Sequence, residues 1–501
     1  MPNEVVSGHA LLRQARWGAF IDGGWVDNPA AGSFEVREAA TGAVLAEVVE
    51  GDAALVDRAV ESARRAFPAW RDTSPRERGR ILLQVAAKIH DHLDELADIE
   101  SREVGKPRRD AYRFDLSFCQ TGLEFYGGLA ETLHGEIIDQ GAIDANVFLD
   151  PYGVVAAILP FNWPPIHFTK KCAPALAAGN TVVIKPGEQA PLTVLRLVEI
   201  ANEVLPPGVM NAVPGMAAGP ALSGHPGVER ITFTGATSTG RKVLQAASAN
   251  LTFATMELGG KNAVMVLEDA DLSAALDVVL EGMFYNNGEA CTSTARILVH
   301  ESICDEFTDL FATATLKLVV GDGMDPATDI GALVDASQRD KVLAHIEGAI
   351  GEGAVVVAQG IVPSDPRLAG GYWVAPTILA GVTPNMAIAQ EEVFGPVACI
   401  MRFSTEAQAI EICNGTEYGL TAAICTTDVE RGRRIARQLQ VGMVMINNYM
   451  RRAFLGSPFG GVKGSGFGRE NAIDSLHEFV RSQTVRVPSG RYPVPAWPPR
   501  D

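Results

Sequence analysis

Between residues 153 and 258 the chain alternates continuous apolar, β-branched runs with amphipathic segments, and this pattern admits few folds. The runs GVVAAILP (153–160), NTVVIKP (180–186) and VERITFTG (228–235) show no polar alternation, so both faces of each strand must be covered. A helix near 192–204 and another after residue 235 are predicted between and beyond them. Such a series builds a parallel sheet with helices on both sides, and ligands of such sheets sit beyond the carboxyl ends of the strands. A second series follows, with helices expected at 272–287 and 302–317 and strands at 294–300, 397–403, 420–427 and 441–447. Two doubly wound halves joined near residue 258 is the natural parse.

Ahead of these, residues 20–50 alternate and carry turn residues (Gly23-Gly24, Asn28-Pro29, Thr41-Gly42), which predicts short strands. Asp52 reads as an N-cap, with Val56, Val60, Ala63 and Phe67 at helical spacing behind it. One longer helix is expected next, with Leu82, Val85, Ile89, Leu93 and Leu96 on a core-facing stripe. The Pro-rich tail GRYPVPAWPPRD cannot be an interior helix and is expected to fray or to pack on a neighbouring subunit.

Composition excludes several classes. With 60 acidic against 42 basic residues and a net charge of −18, the chain lacks the clustered cations that nucleic acid or an anionic membrane would require. One long uncharged stretch, 151–169, contains Pro151, Pro160, Pro164 and Pro165, too many breakers for a membrane helix. Seven scattered cysteines form no C-x-x-C pair, which argues against a zinc or iron–sulfur framework and for a reducing compartment. The N-terminus lacks a basic start followed by an apolar core, so a cytoplasmic protein without a resident metal is expected.

Five segments carry candidate chemistry. In GEACTS, Cys291 lies in a small, polar turn, where a thiol can serve as nucleophile or stay an inert, buried hydrophobe. In ELGGK, Glu257 ends a strand-like run and precedes two glycines; a desolvated carboxylate there suits general-base work, and a solvated one would only cap the turn. In LPFNWPP, Asn162 follows a buried strand and is flanked by prolines, which suits an oxyanion donor or a plain turn amide. Lys185 ends the strand of NTVVIKP with Glu188 three residues on, and Gly235 and Gly240 separate a strand from a helix N-terminus in a G-x-x-x-x-G spacing. A pyrophosphate could approach there, and a carboxylate at Glu188 would pair with ribose hydroxyls and repel a 2′-phosphate, favouring NAD over NADP. Finally, Glu391 and Glu392 precede Val393-Phe394-Gly395-Pro396, too apolar a context for an ordinary surface run.

Taken in order, PFNWP, IKPGEQAP, FTGATSTG, MELGGKN, GEACTST, EEVFGPV and PFGGVKGSGFGRE closely resemble the aldehyde dehydrogenase superfamily, over nearly the whole chain. The resemblance implies an α/β fold with a Rossmann-like cofactor domain (1–127 and 151–257), an αβ catalytic domain (258–447), and a small β oligomerisation arm (128–150 and 475–501). Residues 448–474 would form the substrate-entrance loop and the return to the cofactor domain. It further implies NAD(P)-dependent oxidation of an aldehyde to an acid, with Cys291 as nucleophile, Glu257 as general base and Asn162 as oxyanion donor. Lys185 and Glu188 match adenosine-ribose contacts, Gly235 the pyrophosphate turn, and Glu392 with Phe394 the nicotinamide ribose. Pro160 and Trp163 match further cofactor contacts, Lys171 a basic residue lining the site, and Asn447 an Asn at the end of a catalytic-domain strand. A homodimer or homotetramer is implied.

The departures concern specificity. Ala236 stands where many members carry Ser, and Gly187 beside Glu188 weakens the NAD preference. Trp163, His167, Phe168, Tyr285 and Phe454 are candidates for an aromatic or long-chain tunnel, whereas Arg451 and Arg452 could grip the carboxylate of a semialdehyde. The alternatives weighed are a CoA-acylating relative, which generally lacks the Glu of ELGGK, an esterase, and a binding protein that has lost catalysis.

Overall fold

The computed structural model describes residues 16–28, 30–449 and 455–495. Its first large sheet has eight strands, in the order Gly466–Phe467, Phe253–Glu257, Arg230–Thr234, Val154–Ile158, Thr181–Lys185, Met210–Ala212, Ala19–Ile21 and Gly24–Val26. The five strands from Phe253–Glu257 to Met210–Ala212 are parallel. Chain order runs outward in both directions from Val154–Ile158, so the topology reverses between that strand and Arg230–Thr234. The carboxyl ends at such a reversal diverge and leave a crevice. Ile158 leads there into Leu159-Pro160-Phe161-Asn162, and Thr234 into Gly235.

The second sheet has seven strands, in the order Val355–Gln359, Thr377–Ala380, Val397–Phe403, Arg296–His300, Ala263–Val266, Thr421–Cys425 and Met443–Ile446. Only Val355–Gln359 is antiparallel to its neighbour. Strand Gly466–Phe467 returns to the first sheet, pairing with Met256 and Glu257. The five residues between Phe253–Glu257 and Ala263–Val266 join the two sheets, so the residue ending the first sheet lies beside the start of the second. A third, antiparallel sheet is formed by Glu136–Asp139, Ile143–Pro151 and Val480–Pro488, the last pair in register from Ile143 against Pro488 to Pro151 against Val480. Arg16–Trp17, Val44–Val49 and Ser33–Arg37 make a small fourth sheet.

Local chemistry explains the helix starts. The Asp52 carboxylate accepts from the Leu55 N–H and opens helix Ala53–Asp72, as expected. The single longer helix expected over Leu82 to Leu96 is instead two, Pro75–His90 and Leu93–Val104. His92 leaves the helical region at φ −119°, with no Gly or Pro to announce it. Both pieces turn the same face to one core, so the apolar spacing continues although the backbone does not. Helix Pro164–Ala177 is buried along its whole length between the first sheet and neighbouring helices. Polar side chains on it are therefore inside the molecule, where each requires a partner.

Candidate active site

Helix Leu272–Phe284 ends in a short 3₁₀ turn, Tyr285–Gly288, in which Asn286 (φ 57°) and Asn287 (φ 59°) are left-handed. Asn tolerates that conformation because its side chain bonds locally. Asn287 Nδ2 donates to the Ala332 carbonyl at 2.9 Å, and its Oδ1 accepts from the Gly331 N–H at 2.7 Å. Asn286 Nδ2 donates to the carbonyls of Glu289 and Asn162, at 2.9 and 3.2 Å. The turn thus delivers Cys291, half-buried, to a fixed place beside Asn162. Asn262 Nδ2 donates to the carbonyls of Cys291 and Ser293, at 2.8 and 2.9 Å, holding the far side. An added methyl at Gly260 would stand 2.4 Å from the Cys291 carbonyl oxygen, and one at Gly259 would stand 2.5 Å from Glu392 Oε2. The glycines after Glu257 serve contacts within the protein.

Cys291 lines two cavities. One is a cleft of about 550 Å3 bordered by Pro160, Lys185, Glu188, Gly235, Glu392 and Phe394. The other is bordered by Glu257, Thr292, His167, Lys170, Glu470 and Asn471, with the aromatic rings of Phe114, Phe118, Trp163 and Phe459. Asn162 also borders the cleft; its Nδ2 donates to the Glu289 carbonyl at 2.9 Å, which leaves its second N–H for a ligand. Its Oδ1 lies 3.3 Å from His167 Nε2. Burial and the charges of Lys170, Lys171 and Lys106 push the His167 pKa well below its usual value, so the ring is neutral and donates to that oxygen.

Glu257 is buried, and neither carboxylate oxygen has a hydrogen-bond partner among the described residues. Burial, reinforced by the charge of Glu470, raises its pKa well above the ordinary carboxylate value, against the opposing pull of Lys170, Lys171 and Arg469. Glu470 in turn accepts from Lys171 Nζ at 2.7 Å.

The cleft fits a dinucleotide. Helix Thr237–Ser248 begins at Ala236 with no side-chain cap, and Ala236 and Thr239 border the cleft, so an uncapped helix N-terminus of the kind that suits a pyrophosphate stands at its edge. Thr234 Oγ1 is buried there without a partner among the described residues. Glu392 Oε1 is held by the Gly260 N–H at 2.9 Å, and burial raises the Glu392 pKa to about 7. Lys185 and Glu188 pair with each other through Lys185 Nζ at the opposite end.

The structure relocates four of the residues picked from sequence. Trp163, assigned to cofactor contacts, lines the other cavity, because Pro164 starts a helix directly behind it and turns its ring towards Phe114 and Phe118. Lys171 does not line the site; it is fully buried on Glu470 and Thr232, and its neighbour Lys170 reaches the cavity instead. Phe168 is in the core of the first sheet, away from both cavities. Asn447 (φ 57°) is where it was expected, at the end of strand Met443–Ile446, and bridges two strands by exchanging bonds with the Thr426 backbone at 2.9 and 2.8 Å. Tyr285 packs edge-on to Phe114 behind the cavity wall. Arg451, Arg452 and Phe454 lie outside the described residues. Sequence reasoning missed Lys170, Glu470, Asn286 and Lys106; of these only the Asn-Asn-Gly string at 286–288 carried a signal, its taste for positive φ.

A sequence profile of the Aldehyde dehydrogenase family matches residues 25–485. The chain belongs to the aldehyde dehydrogenase family. It is an NAD(P)-dependent aldehyde dehydrogenase in class, and its α/β architecture is the one expected for that family. An aldehyde dehydrogenase of Didymella fabae is 45% identical over 470 residues, 93% of this chain and 94% of that one. A betaine aldehyde dehydrogenase of Sinorhizobium fredii is 40% identical over 97% of this chain and all of that one. Among solved structures, PnpE in complex with nicotinamide adenine dinucleotide, a protein of Pseudomonas sp. WBC-3, is 41% identical and superposes with a TM-score of 0.92, covering 94% of this aldehyde dehydrogenase and 97% of PnpE. Among the described residues no helix is long and apolar enough to cross a membrane.

Proposed function

We propose that this aldehyde dehydrogenase oxidises an aromatic or medium-sized aliphatic aldehyde through a covalent thioester on Cys291 and releases the acid by hydrolysis. The observation that carries the reading is the position of Cys291 on the wall shared by the two cavities, with the cofactor-like cleft on one side and Glu257 among aromatic rings on the other. In this reading the Cys291 thiolate attacks the aldehyde carbon, forming a C–S bond and placing negative charge on the oxygen. The free N–H of Asn162 receives that charge, aided by the Cys291 main-chain N–H. The nicotinamide group, when bound, supplies the acceptor for the hydride that leaves this carbon. Glu257 then takes a proton from water, the oxygen bonds to the thioester carbon, and the Cys291 sulfur departs.

Lys185 and Glu188 would hold the adenosine ribose, Gly235 with the helix behind it the pyrophosphate, and Glu392 with Phe394 the nicotinamide ribose, with Pro160 beside them. The carboxylate of Glu188 favours NAD over NADP. A buried Glu257 with a raised pKa supports hydrolysis over transfer to CoA, because a base for water is in place. The exposed apolar residues of the third sheet, among them Ile137 and Phe148, support a homodimer or homotetramer built through it. The test is reduced-nicotinamide absorbance with benzaldehyde and hexanal, with NAD or NADP, with and without CoA. CoA-independent turnover that disappears in Cys291→Ala is expected; turnover only with CoA would overturn the hydrolytic route.

A further inference from the structure

Lys170 and Lys171 are adjacent on helix Pro164–Ala177 and do different things. Lys171 Nζ has two partners, Glu470 Oε1 at 2.7 Å and Thr232 Oγ1 at 3.2 Å. Lys170 Nζ reaches the aldehyde cavity, is 7% exposed, and makes no hydrogen bond among the described residues. It stands 3.7 Å from the centre of the Phe459 ring and 3.9 Å from Glu470 Oε2, a carboxylate that Lys171 already engages. A ring face recovers only part of what an ammonium loses on leaving water. Both amide atoms of Asn471 and the Nδ1 of His167 are likewise buried in the wall of this cavity without partners among the described residues. The remaining lining is Phe114, Phe118, Trp163 and Ile166, with Thr234, Glu257, Cys291 and Thr292 on the side of the nucleophile. With Glu470 engaged by Lys171 and Glu257 held towards its neutral form by burial, the Lys170 ammonium, short of acceptors among these rings, makes the cavity complementary to a planar anion and repels a cation.

We propose that Lys170 sets substrate charge, admitting aldehydes that carry a carboxylate or another anionic group on an apolar body and rejecting cationic aldehydes. The proposal rests on the aldehyde reading above. It separates this chain from a betaine aldehyde dehydrogenase, whose substrate carries a fixed quaternary ammonium. Lys170 also faces Cys291 and Glu257, and an effect through those groups would change turnover of every aldehyde by the same factor. A ratio between substrates removes that common factor.

The experiment compares kcat/KM of the full-length enzyme with NAD for 4-carboxybenzaldehyde, benzaldehyde and betaine aldehyde, in wild type, Lys170→Met and Lys170→Arg. The wild type is expected to favour 4-carboxybenzaldehyde over betaine aldehyde. Lys170→Met should lower that ratio by about tenfold or more, the scale of one close charge pair lost from a desolvated site, and Lys170→Arg should retain it. Should Lys170→Met fail to fold, Lys170→Gln replaces it, and the wild-type ranking is decisive by itself. A wild type that favours the cation, or a ratio unchanged in the neutral variant, overturns the proposal while benzaldehyde turnover keeps the aldehyde reading. Turnover of none of the three overturns both.

Discussion

Lys106 Nζ donates to the main-chain carbonyl of Asn162 at 2.8 Å, from a site with no access to solvent. The same ammonium lies 2.5 Å from Asp115 Oδ2 and 2.9 Å from Glu100 Oε1, both carboxylates fully buried. It holds two buried acids, and it fixes the backbone of the residue proposed as the oxyanion donor. Removing it leaves the acids uncompensated, which costs about 3–5 kcal/mol. Lys106→Met should therefore unfold at clearly lower urea concentration than wild type. Adding Asp115→Asn, which removes one of the stranded acids, should restore part of the loss. Equal midpoints for wild type and the single variant would show the cluster to be inert.

The Glu257 carboxyl makes a second expectation about rate and pH. Its pKa is raised by burial and by Glu470, and only the ionised form can accept a proton from water. Hydrolysis of the thioester should thus be slow at low pH and rise with pH through a value well above the ordinary carboxylate range. Glu257→Gln should lose that limb and slow hydrolysis by about 10²–10⁴-fold. Because acylation does not use this base in the proposed mechanism, rapid mixing should still show one equivalent of reduced nicotinamide per active site. A variant that loses the burst along with steady turnover would place Glu257 in the first half-reaction.

Asn162→Ala should cost about 10²–10³-fold in kcat, the loss typical of one oxyanion donor. The His167 N–H that orients the amide would lose its acceptor, Asn162 Oδ1. Single-turnover kinetics should assign the loss to acylation, with hydrolysis less affected. An unchanged acylation rate would remove Asn162 from the proposed role.

How much of this was legible in the sequence follows from what each signal depends on. The parallel strands of the first sheet were readable because burial on both faces demands uninterrupted apolar runs, and Val154–Ile158, Thr181–Lys185 and Arg230–Thr234 are such runs. Met210–Ala212, three residues long, and the helix break at His92 gave no pattern to read. The motifs placed Cys291, Glu257 and Asn162 near one another in expectation, and the structure gathers them about one pair of cavities. The lysines could not be sorted in advance. Lys170 and Lys171 are identical in chemistry and adjacent in sequence, and only the helix rotation decides which one meets Glu470 and which the cavity. Lys106 carried no signal because its partners, Glu100, Asp115 and the Asn162 carbonyl, converge only after three separate elements pack.

The close approach at Gly260 predicts a loss that looks catalytic in a folded protein. A methyl there would lie 2.4 Å from the Cys291 carbonyl and 2.9 Å from the Asn262 amide that holds it. The least costly relief is a shift of the turn bearing Cys291, and a displacement of about 1 Å at a reacting group costs about 10²-fold in rate. Gly260→Ala should lower kcat on that scale and slow alkylation of Cys291 by iodoacetamide. Full activity would mean that the turn has slack that the contacts to Asn262, Asn286 and Tyr449 do not suggest.

The third sheet supplies the last expectation. Among the described residues, strands Glu136–Asp139, Ile143–Pro151 and Val480–Pro488 pair only with one another, and much of their apolar surface is open. Ile137 is 74% exposed and Phe148 50%, with Ile138, Val485 and Val487 also open to solvent. Apolar surface of this kind on an extended arm is stabilised by a partner, and an isologous contact between two copies would bury the same residues twice. Ile137→Asp combined with Phe148→Asp should convert the proposed dimer or tetramer to a smaller species in sedimentation velocity. Since both side chains lie far along the chain from Cys291 and line neither cavity, the site itself is untouched by the change. A wild type that already sediments as a monomer, or a double variant with unchanged mass, would reassign these exposed residues to some other contact.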